Sequence, residues 1–244
     1  MRKFGLIGFP LSHSFSKRFF AEKFEAEGIT DCLYELYPLE NISELPAMLL
    51  DKNLCGLNVT IPYKERVIPF LDFKNEIVAR INACNCIRIR DGRLYGYNTD
   101  AIGFQRSLVK KLGPGHDRAL ILGTGGASKA VEYVLGQLGI SYRYVSRTPR
   151  TGFADLRYEE VSEELLLTHT LVINTTPLGM YPRTEECPPL PYQVLSPKHY
   201  LYDLVYNPAR TLFLQKGEEH GATVENGYEM LIIQAEESWK IWNE

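Results

Sequence analysis

Two side chains of opposite charge are the first candidates for chemistry. Lys64 closes the run Asn58-Val59-Thr60-Ile61-Pro62-Tyr63-Lys64, and Asp100 closes Gly96-Tyr97-Asn98-Thr99-Asp100. A carboxylate beside an ammonium keeps it charged and oriented, and such a pair can pass a proton to and from a hydroxyl. Lys64 follows a proline-set turn near the expected start of a helix, where the positive end of the helix dipole makes an ammonium a readier proton donor. Each residue also has an ordinary reading. Most lysines are solvated, and an aspartate ahead of Ala101 is a favoured helix N-cap. Spacing alone does not bring the two together. Asn58 and Thr60 interrupt an otherwise apolar strand at the end where α/β proteins bind ligands, and Asn85 adds a third polar group. The hydroxyls of Ser14 and Ser16 lie in a loop, where they can hold a polar ligand or satisfy local backbone.

The second chemical stretch is Ala119-Leu120-Ile121-Leu122-Gly123-Thr124-Gly125-Gly126-Ala127-Ser128. An apolar strand runs into a glycine turn, and a helical run follows from Ala127 to Leu138. Glycine lets the backbone bend sharply and approach a ligand, and the free N–H groups of the first helical turn favour an anion such as a pyrophosphate. Ser128 supplies the small residue in the third position of the dinucleotide fingerprint. An NAD site carries Asp or Glu about 20 residues beyond the glycines to bind the ribose 2′-hydroxyl. Here the next strand ends Tyr144-Val145-Ser146-Arg147-Thr148, with no acid and a guanidinium suited to a 2′-phosphate. Arg150 follows closely, so NADP is expected over NAD. Asn174-Thr175-Thr176-Pro177 ends a later strand, as a cofactor wall or as an ordinary turn.

The elements that must position these groups alternate. Strands are expected at Lys3 to Phe9, Leu33 to Leu36 and Gly56 to Thr60, with helices from about Lys17 to Ala26 and from Ile42 to Leu50. Cys86 to Arg90 and Leu94 to Tyr97 flank Asp91-Gly92 as a hairpin, and Ala101 to Leu112 reads as a helix. Gly113-Pro114-Gly115 marks a boundary. Beyond it come strands at Leu120 to Leu122, Tyr142 to Val145, Leu171 to Asn174 and Tyr200 to Leu204. The proline-rich segment Pro182 to Pro197 reads as a loop. Tyr228 to Trp242 follows as an amphipathic helix burying Met230, Ile233, Trp239 and Trp242. The alternation predicts an α/β chain of two units with parallel sheets and a cleft between them.

Composition excludes several classes. A net charge of −3 over 244 residues gives no reason to expect nucleic acid or an anionic membrane as partner. No apolar stretch is long enough to span a bilayer, and cytoplasm is the expected location. The five cysteines are scattered and odd in number, and the five histidines form no ligand-spaced cluster, so no disulfide framework and no metal is expected. The Asn-x-Ser/Thr triplets at Asn41, Asn58 and Asn174 then carry no glycan.

With these pieces assembled, the chain resembles the shikimate dehydrogenase family nearly end to end. The resemblance rests on Ser14-Phe15-Ser16, the Asn58 to Lys64 run, Asn85, the Asp91 to Asp100 run and the Gly123 to Ser128 loop. It continues through Ser146-Arg147-Thr148, Asn174 to Met180 and Gly227 to Gln234. It implies reduction of 3-dehydroshikimate to shikimate with NADPH, a step in aromatic amino acid biosynthesis. It implies an N-terminal α/β substrate domain, 1–103 plus about 226–244, and a Rossmann-like dinucleotide-binding domain, 104–225. The last helix returns to the substrate domain in that family. By position Lys64 and Asp100 look like the catalytic pair, and Ser14, Ser16, Asn58, Thr60, Asn85, Tyr206 and Gln234 like substrate contacts. Gly123, Thr124, Gly125, Gly126, Ala127, Ser146, Arg147, Thr148, Asn174, Thr175, Thr176, Leu204 and Gly227 look like contacts to NADP(H). A small-molecule substrate and a monomer or homodimer go with this reading. Two rivals remain: a relative that also oxidises quinate, and a sensor that binds NADP and a small ligand without turnover. The chain departs from the family pattern at Lys17 and Phe20, where proline and histidine are usual, and at Ser146, where asparagine is common.

Overall fold

The computed structural model describes residues 1–11, 14–148 and 155–244, which divide into two compact units, 1–102 with 234–244 and 103–233. The first unit contains β1 (Arg2–Gly8), α1 (Phe15–Ala26), β2 (Cys32–Pro38), α2 (Leu45–Met48), β3 (Leu54–Val59) and β4 (Phe73–Lys74). It continues with α3 (Glu76–Ile81), β5 (Cys86–Arg90), β6 (Arg93–Tyr97) and the start of α4 (Thr99–Leu108). Its sheet runs β2-β1-β3-β5-β6-β4. Strands β2, β1 and β3 are parallel, whereas the β5–β6 hairpin enters antiparallel, so the sheet is mixed. The hairpin turn falls on Asp91 and Gly92, at φ 52 and 71, the two left-handed residues a tight hairpin of this kind requires.

Alternation along β1 and β3 sorts the core onto two faces. Ile7, Leu57 and Val59 join Leu45, Tyr63 and Val67 on one side. Phe4 and Leu6 join Phe20, Phe24, Tyr34, Ile241 and Trp242 on the other. Trp242 stacks on Phe4 with ring centroids 4.9 Å apart, and its Nε1 donates to the Ile87 carbonyl at 3.0 Å.

The second unit holds the rest of α4, then β7 (Arg118–Leu122), α5 (Gly126–Gln137), β8 (Ser141–Val145), α6 (Glu163–Thr168) and β9 (Leu171–Asn174). After β10 (Tyr200–Asp203) come α7 (Leu212–Glu219), β11 (Thr223–Asn226) and the first residues of α8 (Tyr228–Asn243). All five strands are parallel in the order β11-β10-β9-β7-β8. Residues Ala119 to Leu122 and Leu171 to Asn174 have no exposed surface, as expected of strands covered on both faces.

Several expectations are corrected. The helix expected over Ile42 to Leu50 is a single 3-10 turn, Ile42–Glu44, followed by the four-residue α2. Helix α4 begins at Thr99 and ends at Leu108, earlier at both ends than expected. Gly113-Pro114-Gly115 lies inside the second unit, not at its edge. The buried face of α8 is Gln234, Ala235, Ser238, Ile241 and Trp242, while Met230, Ile233 and Trp239 are only half-buried. The physical reason is that α8 turns a polar stripe onto polar partners in the first unit.

Trp242→Ala should cost about 3–5 kcal/mol, the usual penalty for emptying a large aromatic site in a core. Chemical denaturation reads this directly, and an unchanged midpoint would mean that this face contributes no stability.

Candidate functional site

In the first unit Lys64 sits on the turn after β3. Buried Tyr63 anchors that turn, its hydroxyl donating to the Leu39 carbonyl at 2.6 Å, and the Lys64 carbonyl accepts from the Cys84 amide at 2.8 Å. Residues 64–67 form a turn leading to the 3-10 turn Ile68–Phe70, so the helix expected to begin at Lys64 is absent. Its positive dipole end is therefore not what acts on the ammonium.

Asp100 is. The Lys64 Nζ donates to Asp100 Oδ2 at 2.6 Å, with 23% and 15% of the two side chains exposed. Asp100 does not cap α4, contrary to the ordinary reading. Asn98 does, its Oδ1 accepting from the Ala101 amide at 3.0 Å while its Nδ2 donates to the Ala83 carbonyl. Asp100 falls in the first turn of α4, where a negative charge is favoured, and its carboxylate is left for the lysine.

A buried hydrogen-bond network supports the pair from beneath. Tyr34 donates to Asn58 Oδ1 at 2.9 Å, and Asn58 Nδ2 donates to Ser238 Oγ at 2.9 Å. Ser238 in turn lies 3.3 Å from Thr99 Oγ1 and donates to the Gln234 carbonyl at 2.8 Å. Asn85 accepts from the Thr99 amide at 2.6 Å and donates to Thr99 Oγ1. Asn58, Asn85 and Gln234 are thus buried, and both asparagine amides are bonded within the protein. Ser14 caps α1 through the Lys17 amide, and Ser16 lies close to the Tyr34 hydroxyl. Thr60 is half-buried at the end of β3. The unusual Phe20 is a core residue, stacked on Tyr34 with centroids 4.5 Å apart, and Lys17 pairs with Glu35 at 3.0 Å.

The second unit carries a cavity of about 610 Å³ at the carboxyl ends of its strands. Gly123, Thr124, Gly125, Ser146, Arg147, Thr148, Thr175 and Thr176 all line it. Gly123 has φ 98, and a Cβ there would stand 2.8 Å from Thr176 Cγ2, so only glycine lets the turn pass beneath the threonines. Gly125 and Gly126 face open space at the start of the 12-residue α5, whose first amides have no partner within the helix. Ser128 does not face the cavity; buried, it donates to the Gly125 carbonyl at 2.7 Å. Ser146 Oγ is buried in the cavity wall with no hydrogen-bond partner among the described residues, an orphan that a bound polar ligand would satisfy. Arg147 is exposed at the same wall. Open amides, an arginine and an orphan hydroxyl fit an anionic dinucleotide.

The structure places other expected residues elsewhere. Asn174 has no exposed surface and is bonded to Asp203 and Thr176 behind the cavity wall. Gly227 packs against the Leu204 carbonyl so closely that a Cβ would stand 2.2 Å from its oxygen. Ala127 is half-buried in the first turn of α5, and Tyr206 is exposed after β10. Arg150 lies outside the described residues.

Residues not anticipated are Tyr34 and Ser238 in the first unit and Asp203, Tyr158, Arg183 and Glu186 in the second. Ser238 lies one helical turn after Gln234, and Asp203 ends an apolar run; both were visible signals. Burial pushes the Tyr158 hydroxyl up to about 12, with Arg147 pulling the other way, which places that tyrosine beside the arginine. Asn98→Ala should lose ~1 kcal/mol or more of stability through the lost cap. Unchanged unfolding would return the capping role to Asp100.

Comparisons with known proteins identify relatives across nearly the whole chain. A family model for the shikimate dehydrogenase substrate binding domain matches residues 6–87. A shikimate dehydrogenase (NADP(+)) of Staphylococcus aureus is 37% identical over 98% of this chain and 92% of its own length. The crystal structure of a chorismate mutase/shikimate 5-dehydrogenase fusion protein from Clostridium acetobutylicum superposes with a TM-score of 0.89 at 36% identity, over 100% of this chain and 91% of that one. Shikimate 5-dehydrogenase from Thermus thermophilus in complex with NADP(H) and shikimate has a TM-score of 0.86 at 31% identity, over 99% and 93% of the two chains. An α/β fold of two units, an ammonium after β3 paired with a carboxylate in the first turn of α4, and relatives matching across nearly the whole length lead to one assignment: the chain belongs to the shikimate dehydrogenase family.

Proposed function

We propose that this protein reduces 3-dehydroshikimate to shikimate with NADPH, with Lys64 as the proton donor. The observation that carries the reading is the 2.6 Å contact between Lys64 Nζ and Asp100 Oδ2. The dinucleotide, when bound, supplies the hydride that the ketone carbon accepts. As charge develops on the carbonyl oxygen, the Lys64 ammonium gives it a proton, and the Asp100 carboxylate keeps that ammonium aimed beforehand. Asn58 and Asn85 hold the floor beneath the pair through Ser238 and Thr99. Ser14, Ser16, Thr60, Tyr206 and Gln234 are the remaining candidates for substrate hydroxyls and carboxylate, on the family resemblance. In the second unit the Gly123 to Ala127 turn would take the pyrophosphate, Ser146 and Thr148 the adenosine side, and Arg147 the 2′-phosphate. The Thr175–Thr176 wall, with Leu204 and Gly227 beyond it, completes that set. A cytoplasmic enzyme, monomer or homodimer, acting on a small molecule is the setting that goes with this reading. No helix of the described residues is long and apolar enough to cross a membrane.

An absorbance assay with NADPH and 3-dehydroshikimate tests the reading, and tight NADPH binding without its oxidation would favour a sensor. Running the reverse reaction with shikimate and quinate separates a narrow enzyme from a broad one. Lys64→Ala should lower kcat by about 10²–10⁴-fold, the usual contribution of a positioned acid, and change KM far less. An untouched kcat would remove Lys64 as the acid. Arg147→Asp should shift preference from NADP toward NAD by about tenfold or more, since a charge-assisted contact is lost and a repulsion gained. An unchanged ratio would remove Arg147 as the 2′-phosphate contact.

A further inference from the structure

Among the described residues Asp203 is the one carboxylate with no exposed surface. It ends β10, outside the lining of the dinucleotide cavity, and neither the proton transfer nor the cofactor contacts above use it. Three donors from three segments converge on it. Asn174 Nδ2 and the Val205 amide donate to Oδ1 at 2.9 and 3.0 Å, and Thr211 Oγ1 donates to Oδ2 at 2.6 Å. Asn174 ends β9, and its other amide atom continues the chain: Oδ1 accepts from the Thr176 amide at 3.0 Å and from Thr176 Oγ1 at 2.6 Å. Thr176 and its neighbour then bear on the glycine turn. Thr175 Oγ1 donates to the Leu122 carbonyl at 2.7 Å, and both threonines crowd the face of Gly123 where a Cβ would be.

We infer that Asp203 is a positioning residue for the dinucleotide cavity, acting through Asn174 to hold Thr175 and Thr176 against the Gly123 turn. The inference rests on the NADP reading of that cavity. Burial pushes the Asp203 carboxyl up to about 7 while its three donors pull it down, so the group stays in an apolar strand end only because those bonds are made. An aspartate that merely tied the core together would affect folding and leave cofactor affinity in the folded protein alone.

Fluorescence titration of the full chain with NADP⁺ separates the two roles. Asp203→Leu puts an apolar, somewhat larger side chain in the site and removes both acceptors. In folded protein it should weaken NADP⁺ binding by about tenfold or more while the KM for 3-dehydroshikimate moves less than about twofold. Asp203→Asn can keep an oxygen toward Asn174 and Val205 and donate to Thr211 Oγ1, so its NADP⁺ affinity should stay within about threefold of wild type. Because Asp203→Leu can fail to fold, Asn174→Leu serves as the second variant. It leaves Asp203 two of its donors, breaks the link to Thr176, and should lose NADP⁺ affinity by about the same factor. Folded leucine variants that bind NADP⁺ like wild type, or an Asp203→Asn variant no better than Asp203→Leu, would overturn the inference alone. Wild-type protein that bound no NADP⁺ would overturn the cofactor reading and this inference with it.

Discussion

The ammonium of Lys64 and the carboxylate of Asp100 stand 2.6 Å apart, each only partly open to solvent, and much of the first unit exists to keep them there. The decisive local fact is the division of labour at the start of α4. Asn98 takes the cap, so Asp100 in the first turn needs no backbone partner and can face the lysine. An aspartate at the cap would have shared its carboxylate with the helix amides. Beneath α4 the Tyr34–Asn58–Ser238–Thr99–Asn85 network fixes the helix start to β2, β3, the bend before β5, and α8. A network with every member bonded is rigid; a half-satisfied one would be costly.

The second unit follows a different logic, using backbone where the first uses side chains. Its cavity is built from a glycine turn, open helical amides and two threonines, with Arg147 and the orphan Ser146 hydroxyl among the polar side chains of its wall. Asn174, expected among the contacts, lies one layer behind and shapes the wall instead. Contact and support are close in sequence here and easily confused.

How far the structure was legible depended on whether a signal was local. Continuous apolar runs announced β7, β9 and β10, and Asp91-Gly92 announced the hairpin, because strand burial and turn geometry act over a few residues. Strands β4 and β11 and helix α3 went unread: two, four and six residues give a period little room to show. The cap of α4 was misassigned because asparagine and aspartate are near-equal caps, and only the distant Lys64 decides which of them is free. The face of α8 was misread because Gln234 and Ser238 are polar by type, and what buries them is hydrogen bonding to residues far away in the chain. Asp203 went unread although it interrupts the apolar run Tyr200 to Val205, and its partner Asn174 could be found only by folding β9 beside β10.

The account turns on Asp100 acting through Lys64, and a double-mutant cycle on kcat tests that dependence. Lys64→Ala, Asp100→Asn and the double variant are assayed together under saturating NADPH and 3-dehydroshikimate. The account predicts that the double variant is no slower than Lys64→Ala by more than about threefold, since a carboxylate with no ammonium to orient has nothing left to contribute. Losses that multiply fully in the double variant would contradict it, showing two groups that work independently.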